Sequence, residues 1–331
     1  MREAYETGPG AAPIAEVDSG TVIAGRSTAE LFWRRFREDR LAIVSLVFLT
    51  LLVVAAIAAP LIVSVVGVPG PDEQNSDALD VFGTPTGPSL AHPFGVDELG
   101  RDVFARTLYG ARVSLIVAFA ATGIAVLIGV TAGLLAGYFR GWVDTLISRS
   151  VDVLLAIPYL LLAVGLAASC SFGGGCFGGA VQPGIGVVIF VIAVTSWTYV
   201  ARIVRGETLS LREREFVDAS RSLGASRARI VFREILPNLV APIIVYTSIL
   251  IPQVILYEAA LSFLGVGVQA PTASWGQMIS DATEIFDTAW WYMLFPGVAL
   301  VLTVLAFNYV GDALQDALAP RARKRKAAAE A

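Results

Sequence analysis

The chain has 331 residues and a net charge of -4, and 56% of its residues are hydrophobic while only 16% are charged. A soluble domain carries about a quarter charged residues, so this composition indicates an integral membrane protein. The only lysines are Lys324 and Lys326 and the only histidine is His92, which excludes an internal phosphate-binding loop and a histidine-based metal or nucleophile site. We therefore expect no enzyme activity, no metal ion, no cofactor and no nucleic-acid partner.

The first 40 residues are predicted to form a cytoplasmic tail that ends in a short amphipathic helix. We expect the first 25 of them to be disordered. They lack a short apolar core followed by a small-residue cleavage site, so no removable signal peptide is predicted. The first apolar stretch, 41–66, is too long for such a signal and is predicted to stay in the membrane.

Six apolar segments approach the length of about 20 residues that a helix needs to cross the hydrocarbon core. None contains Asp, Glu, Lys or Arg, and they cover 41–66, 113–138, 153–168, 185–201, 239–257 and 290–310. The third and fourth are short and are expected to extend at their ends. This pattern predicts an all-α membrane protein with a cytoplasmic N-terminal part (1–40), a first span (41–66), an extracytoplasmic loop (67–112), a five-helix core (113–318) and a basic cytoplasmic tail (319–331).

The distribution of basic residues predicts the orientation of these spans. If the N-terminus is cytoplasmic, 21 basic residues fall on the inner side and only Arg101, Arg106 and Arg112 fall on the outer side. Cytoplasmic loops carry the excess of Lys and Arg in membrane proteins. We therefore expect both termini in the cytoplasm, and the basic tail is predicted to anchor on anionic lipid.

Within the second span, Gly129, Gly133 and Gly137 recur every fourth residue. This spacing removes three side chains from one helix face and predicts close approach of another helix. Two acids, Glu258 and Asp152, border the spans. Intramembrane acids often mark ion pathways, but both lie close to a predicted interface, where hydration or helix capping favours a structural role.

Two cysteines, Cys170 and Cys176, frame a glycine-rich loop on the predicted outer side. That compartment is oxidising, and flexible glycines let the two ends meet, which favours a disulfide over two free thiols.

The third cytoplasmic segment, 210–237, carries the strongest signal for function. Ser210 and Glu213 have the spacing of a capping box that starts a helix. Gly224 is suited to end that helix, and Ser226 to cap a second helix, which Pro237 leads into the fifth span. The pattern predicts a short helix-turn-helix below the membrane.

An apolar stripe on the first of these helices leaves two roles open for the segment. Phe216, Ala219 and Leu223 share one face by their spacing of three and four residues. Such a stripe fits a partner protein, whereas basic amphipathic loops often lie on lipid head groups. Composition alone does not separate these alternatives.

The order of residues favours the partner, because here the chain resembles the permeases of bacterial ABC importers. Their signature of Glu-Ala-Ala, three residues, Gly and a later Ile/Leu-Pro is similar to 218–220, Gly224 and 235–237. The chain has Asp218 for Glu and Ser220 for the second Ala, and Ile235 directly precedes Leu236. In that family the segment is the coupling helix that seats in a cleft of the ATPase. The resemblance implies this role for Glu215, Asp218, Ala219, Ser220, Gly224, Leu236 and Pro237.

Further motifs resemble the dipeptide/oligopeptide-type branch of these permeases, over roughly 32–320. They lie at 32–37, 92–102, 109–115, 258–265, 271–276 and 295–297. The resemblance implies a type I importer permease fold with a cytoplasmic coupling helix in a bacterial inner membrane. It also implies a second, unlike permease, two ATP-binding subunits and an extracytoplasmic substrate-binding protein as partners, with membrane lipid around the spans.

The resemblance leaves the substrate open. Di- or oligopeptides are expected, while nickel or another small solute is the alternative, and no substrate-binding residue is identified. A self-sufficient secondary transporter is the competing class; it would need buried ion-coupling residues or an inverted repeat, and neither is found.

Overall fold

The structure, a computed structural model, describes residues 28–318. The predictions for the first 25 residues and for the basic tail at 319–331 therefore lie outside the described residues. The described part folds into helices joined by loops that contain three isolated β-bridges and one 3₁₀ turn. The helices are α1 (Thr28–Glu38), α2 (Arg40–Ile57), α3 (Ala59–Val66), α4 (Val103–Phe139), α5 (Gly141–Ala156), α6 (Tyr159–Phe172), α7 (Ile185–Arg212), α8 (Glu215–Ser222), α9 (Arg227–Arg229), α10 (Leu236–Phe263), α11 (Trp275–Ala282) and α12 (Trp290–Leu318).

The prediction of an all-α protein with several membrane spans is confirmed. Within residues 28–318, five helical stretches are long and apolar enough to cross a membrane: Arg40–Ile57, Val103–Phe139, Ile185–Arg212, Arg227–Phe263 and Trp290–Leu318. The fourth of these joins α9 and α10 through a π-helical stretch, Ile230–Ile235. A sixth span is obtained when α5 and α6 are counted together.

The predicted third span, 153–168, contains a sharp bend. The chain bends by 92° between α5 and α6, because Pro158 lacks an amide hydrogen and Ile157 before it adopts an extended conformation. A residue that precedes proline is sterically excluded from the helical region. The segment thus consists of the end of one helix and the start of another.

The first predicted span, 41–66, is also interrupted. Helix α2 ends at Ile57, Ala58 leaves the helical conformation, and α3 begins with Pro60 in its first turn. Proline removes one backbone hydrogen bond from a helix. Helix α2 is long enough to cross the membrane without α3.

The glycine stripe forms the centre of the helix packing, as the sequence predicts. Gly129, Gly133 and Gly137 of α4 all face α7. A Cβ atom on Gly133 would lie 2.7 Å from the carbonyl oxygen of Ala201 and 2.7 Å from the Cβ of Val204. Only glycine allows the two backbones to come this close, so α4 and α7 form one tightly packed pair.

A cap of loops covers the start of helix α4. Helix α4 begins at Val103, ten residues before the predicted span, so the loop is shorter than the expected 67–112. Asp102 caps α4 by accepting a 2.8 Å hydrogen bond from the Ala105 amide and also contacts His92 Nδ1 at 2.8 Å. The buried carboxylate of Asp97 accepts a 2.7 Å hydrogen bond from Arg101 Nε. The motif at 92–102 therefore builds the cap through charge pairs.

Candidate coupling site

Helix α8 is the element that corresponds to the predicted coupling helix, but it does not start where the capping box placed it. Ser210 lies inside α7, which continues to Arg212, and α8 begins at Glu215 after Arg214 as N-cap. The capping-box prediction for Ser210 and Glu213 is therefore wrong. Ser210 and Glu213 do not start a helix because α7 continues past Ser210, and its packing on α4 extends to Thr208 beside Gly137.

Two arginine contacts fix the C-terminal end of α7 to the C-terminal end of α4. Arg212 donates a hydrogen bond to the carbonyl oxygen of Tyr138, and its guanidinium lies 5.7 Å from the centre of the Tyr138 ring. Arg140 Nη2 donates to Glu213 Oε1 at 2.5 Å. Only Glu213 and Arg214 separate α7 from α8. The position of α8 is therefore tied to that of α7.

Gly224 ends α8 as predicted. Its φ angle is +79°, in the left-handed region that favours glycine. The amide of Gly224 donates to the Arg221 carbonyl at 3.0 Å, and the amide of Ala225 donates to the Ser220 carbonyl at 3.1 Å. This pair of bonds is the Schellman motif, which satisfies carbonyls that a helix end leaves free.

The second helix also starts as predicted. Ser226 caps α9 by accepting a hydrogen bond from the Arg229 amide at 3.3 Å. The chain then passes through the π-helical stretch into α10, where Leu236 is half-buried and Pro237 lies in the first turn. Leu236 and Pro237 thus belong to the start of α10 and not to the surface of α8.

The exposed face of α8 is apolar in part. Val217 is fully buried, in the same cluster as Ile230 and Ile235, and anchors the helix to the π-helical stretch. The side chains of Phe216 and Leu223 are turned outward, and Leu223 is 88% exposed. The remaining predicted coupling residues of α8 are exposed or half-buried on the same short helix: Glu215, Asp218, Ala219 and Ser220.

Asp218 is on the outer surface of this helix. Its carboxylate accepts a 3.0 Å hydrogen bond from Arg221 within α8 and is otherwise open to solvent. Such an exposed pair stabilises a protein by at most about 1 kcal/mol. Asp218 is therefore free to exchange its partner for a charge on a docking protein.

The sequence did not reveal the charge pairs that join α5 to α7. Arg205 binds Asp144 through two hydrogen bonds, and Arg202 Nη2 donates to Asp152 Oδ1 at 2.8 Å. Asp152, expected to have a structural role, thus forms an ion pair with α7. The acidic partners of Arg202 and Arg205 lie 50 and 61 residues away in the sequence.

Glu258 differs from the prediction in its surroundings. It is completely buried, so the expectation that water at an interface hydrates its carboxyl group is wrong. Glu258 Oε2 accepts from Ser114 Oγ at 2.8 Å and Oε1 accepts from Ser262 Oγ at 2.9 Å. The carboxyl group therefore links α4 to α10.

Cys170 and Cys176 are joined by a disulfide, with their Cα atoms 4.7 Å apart. The amide of Cys176 also donates to the Val181 carbonyl at 2.9 Å. Together these bonds close the short loop that connects α6 to α7.

Two protein families match the chain. Residues 129–324 match the binding-protein-dependent transport system inner membrane component. Residues 27–85 match the N-terminal TM domain of oligopeptide transport permease C. The first match includes the whole of α8 and its flanking turns.

Two permease proteins are similar to this chain over most of its length. The dipeptide transport system permease protein DppC of Alkalihalophilus pseudofirmus is 41% identical over 87% of this chain and 88% of its own length. The glutathione transport system permease protein GsiD of Escherichia coli is 43% identical over 88% of this chain and 89% of its own length.

Solved structures show the same fold at lower identity. A chain of the inward-facing MetNI methionine ABC transporter covers 65% of this chain and 97% of its own length, with 22% identity and a TM-score of 0.54. The shared part has the type I importer fold.

Proposed function

Because this chain belongs to the family of binding-protein-dependent transport system inner membrane components, we propose that it imports short peptides as the permease subunit of an ABC importer. The observation that carries the substrate class is the identity above 40% to relatives named for dipeptide and glutathione transport. Both named solutes are short peptides. No described side-chain cluster favours nickel or another small solute.

The importer works as a complex in the bacterial inner membrane. Its ATP is hydrolysed in two separate ATP-binding subunits, since this chain has lysine only at 324 and 326 and so lacks a phosphate-binding loop. A substrate-binding protein delivers the peptide from outside, and a second, unlike permease completes the pathway. Both termini are cytoplasmic, as the distribution of basic residues predicts.

Helix α8 is the proposed contact with an ATP-binding subunit. Three features support this role: the outward apolar side chains of Phe216 and Leu223, the exposed carboxylate of Asp218, and the two-residue connection to α7. Movement of the ATP-binding subunits would shift α8, and α7 would carry the shift into the membrane. Glu215, Ala219, Ser220 and Gly224 shape this contact, and Leu236 and Pro237 begin the return helix.

Two substitutions test the coupling role. Gly224→Val places a β-branched residue at a φ of +79°, which costs about 1–2 kcal/mol, and Asp218→Lys reverses the exposed charge. We expect both variants to reach the membrane but to lose peptide uptake and the stimulation of ATP hydrolysis by the binding protein. The measurements are uptake and ATP hydrolysis by the complex in proteoliposomes.

Matched controls separate coupling from general damage. Gly83→Val has the same strain, because Gly83 has a φ of +77° and open space around it, but lies in the outer loop. Glu38→Lys reverses another exposed, paired acid. Both controls should retain uptake. Wild-type uptake by Gly224→Val and Asp218→Lys would show that α8 is a lipid-facing loop.

A further inference from the structure

Helix α5 is weakly packed for a helix that borders the core. Val151 is its one buried residue. Between α5 and α7 lies a cavity of about 240 Å³ lined by Ile147, Ser148, Val151, Asp152, Ala201, Arg202 and Arg205. Apolar packing therefore leaves this face of α5 incompletely attached to α7.

The Arg205–Asp144 pair supplies the strongest attachment. Arg205 Nε donates to Asp144 Oδ1 at 2.5 Å and Nη2 donates to Oδ2 at 2.8 Å. Ser148 Oγ also donates to Asp144 Oδ1, at 3.0 Å. Bidentate arginine–carboxylate pairs fix both distance and orientation. The Asp144 side chain is only 19% exposed, so water screens this pair incompletely.

The neighbouring pair is weaker. Arg202 and Asp152 meet through one hydrogen bond, and their side chains are 54% and 52% exposed. Exposed single-bond pairs contribute little because solvent screens them. The connection between α5 and α7 thus depends mainly on Arg205 and Asp144.

The two helices differ in how they are connected to the rest of the molecule. Helix α7 packs on the glycine stripe of α4 and leads into α8. Helix α5 leads into the bend at Ile157 and Pro158 and from there into α6, where Tyr159 stacks on Tyr257 of α10 at 3.8 Å. A link between α5 and α7 therefore joins the coupling helix to the bent pair.

We propose that Arg205 and Asp144 are positioning residues for coupling: their ion pair makes α5 follow α7 when α8 moves. This inference rests on the proposed importer function. The pair then sets how many peptides cross per ATP hydrolysed. Without the ion pair, α7 still moves with the ATP-binding subunits, but α5 and the bend that follows it do not move with α7.

The test compares single charge reversals with their exchange. Asp144→Arg, Arg205→Asp and the double exchange are reconstituted in proteoliposomes with both ATP-binding subunits, the second permease and the binding protein. We expect each single variant to hydrolyse ATP near the wild-type rate while peptides transported per ATP fall about fivefold or more. The double exchange should restore most of this ratio, and Arg205→Lys, which keeps the charge but loses the bidentate geometry, should be intermediate.

The control variant changes a different ion pair. Reversing Arg34 of the exposed Arg34–Glu38 pair in α1 should leave the ratio unchanged. If a reversal fails to assemble, Asp144→Asn gives the same measurement with a shape-matched side chain. A parallel fall of uptake and ATP hydrolysis, or an unchanged ratio in the single variants, overturns the inference. Absence of both activities from the wild-type complex would instead refute the proposed function on which it rests.

Discussion

Single residues decide how closely the central helices approach. The glycines of α4 face backbone oxygens as well as side chains of α7: a Cβ atom added to Gly129 would lie 2.8 Å from the carbonyl oxygen of Trp197. A backbone oxygen cannot rotate away as a side-chain atom can, so a new Cβ there must push the helices apart. The spacing of four residues in the sequence predicts this feature because the contact needs only one periodic face.

Gly133→Ala tests this contact. The added Cβ would lie 2.7 Å from the Ala201 carbonyl oxygen, and overpacking of this kind costs about 1–3 kcal/mol. We expect a lower melting temperature of the purified protein in detergent. Gly123→Ala is the matched control, since Gly123 lies in the same helix and a methyl group added there would have no neighbouring atom within 4 Å. An equal effect of both substitutions would show that the α4–α7 contact does not limit stability.

Other residues could not be assigned from sequence because their partners are distant. Glu258 accepts a hydrogen bond from Ser114, which lies 144 residues earlier on α4. The link between Arg205 and Asp144 spans 61 residues and the 92° bend. Neither contact follows a local periodicity, so neither position carries a signal in its own segment.

Among the elements, helix ends were predictable where local chemistry determines them. Gly224 and Ser226 act within one turn of their own positions, and both predictions are confirmed. The capping box predicted at Ser210 does not form, because packing on α4 stabilises the continued helix α7 more than a helix end at Ser210 would. The bend at Pro158 was visible as a proline, but its angle depends on how α5 and α6 pack on other helices.

The disulfide that joins the end of α6 to the loop before α7 gives a prediction for this loop. With Cys170 and Cys176 bridged, thiol reagents should label the protein in intact cells only after a reductant is added. Cys176→Ser is the control: it leaves Cys170, which is half-buried, as a free thiol that should react without reductant. Labelling of the wild-type protein before reduction would show that the two thiols are free in cells.

At the scale of the whole molecule, two structural regions flank the helix core. The outer loops form a cap held by buried charges, including Asp97 with Arg101, and by a 3.0 Å hydrogen bond from Trp291 Nε1 to the Val96 carbonyl. The opposite end carries α8 and the arginine contacts around it. The proposed function assigns the first end to a substrate-binding protein and the second end to the ATP-binding subunits.

The predicted orientation depends on the 21 basic residues on one side against three on the other. An enzyme reporter that is active only outside the inner membrane should therefore be active when fused after Val66 and inactive when fused after Arg214. A fluorescent reporter that matures only in the cytoplasm should give the reverse pattern, which serves as the control for expression of each fusion. Outside activity of the Arg214 fusion would put α8 on the side opposite the ATP-binding subunits and would contradict the coupling role of α8.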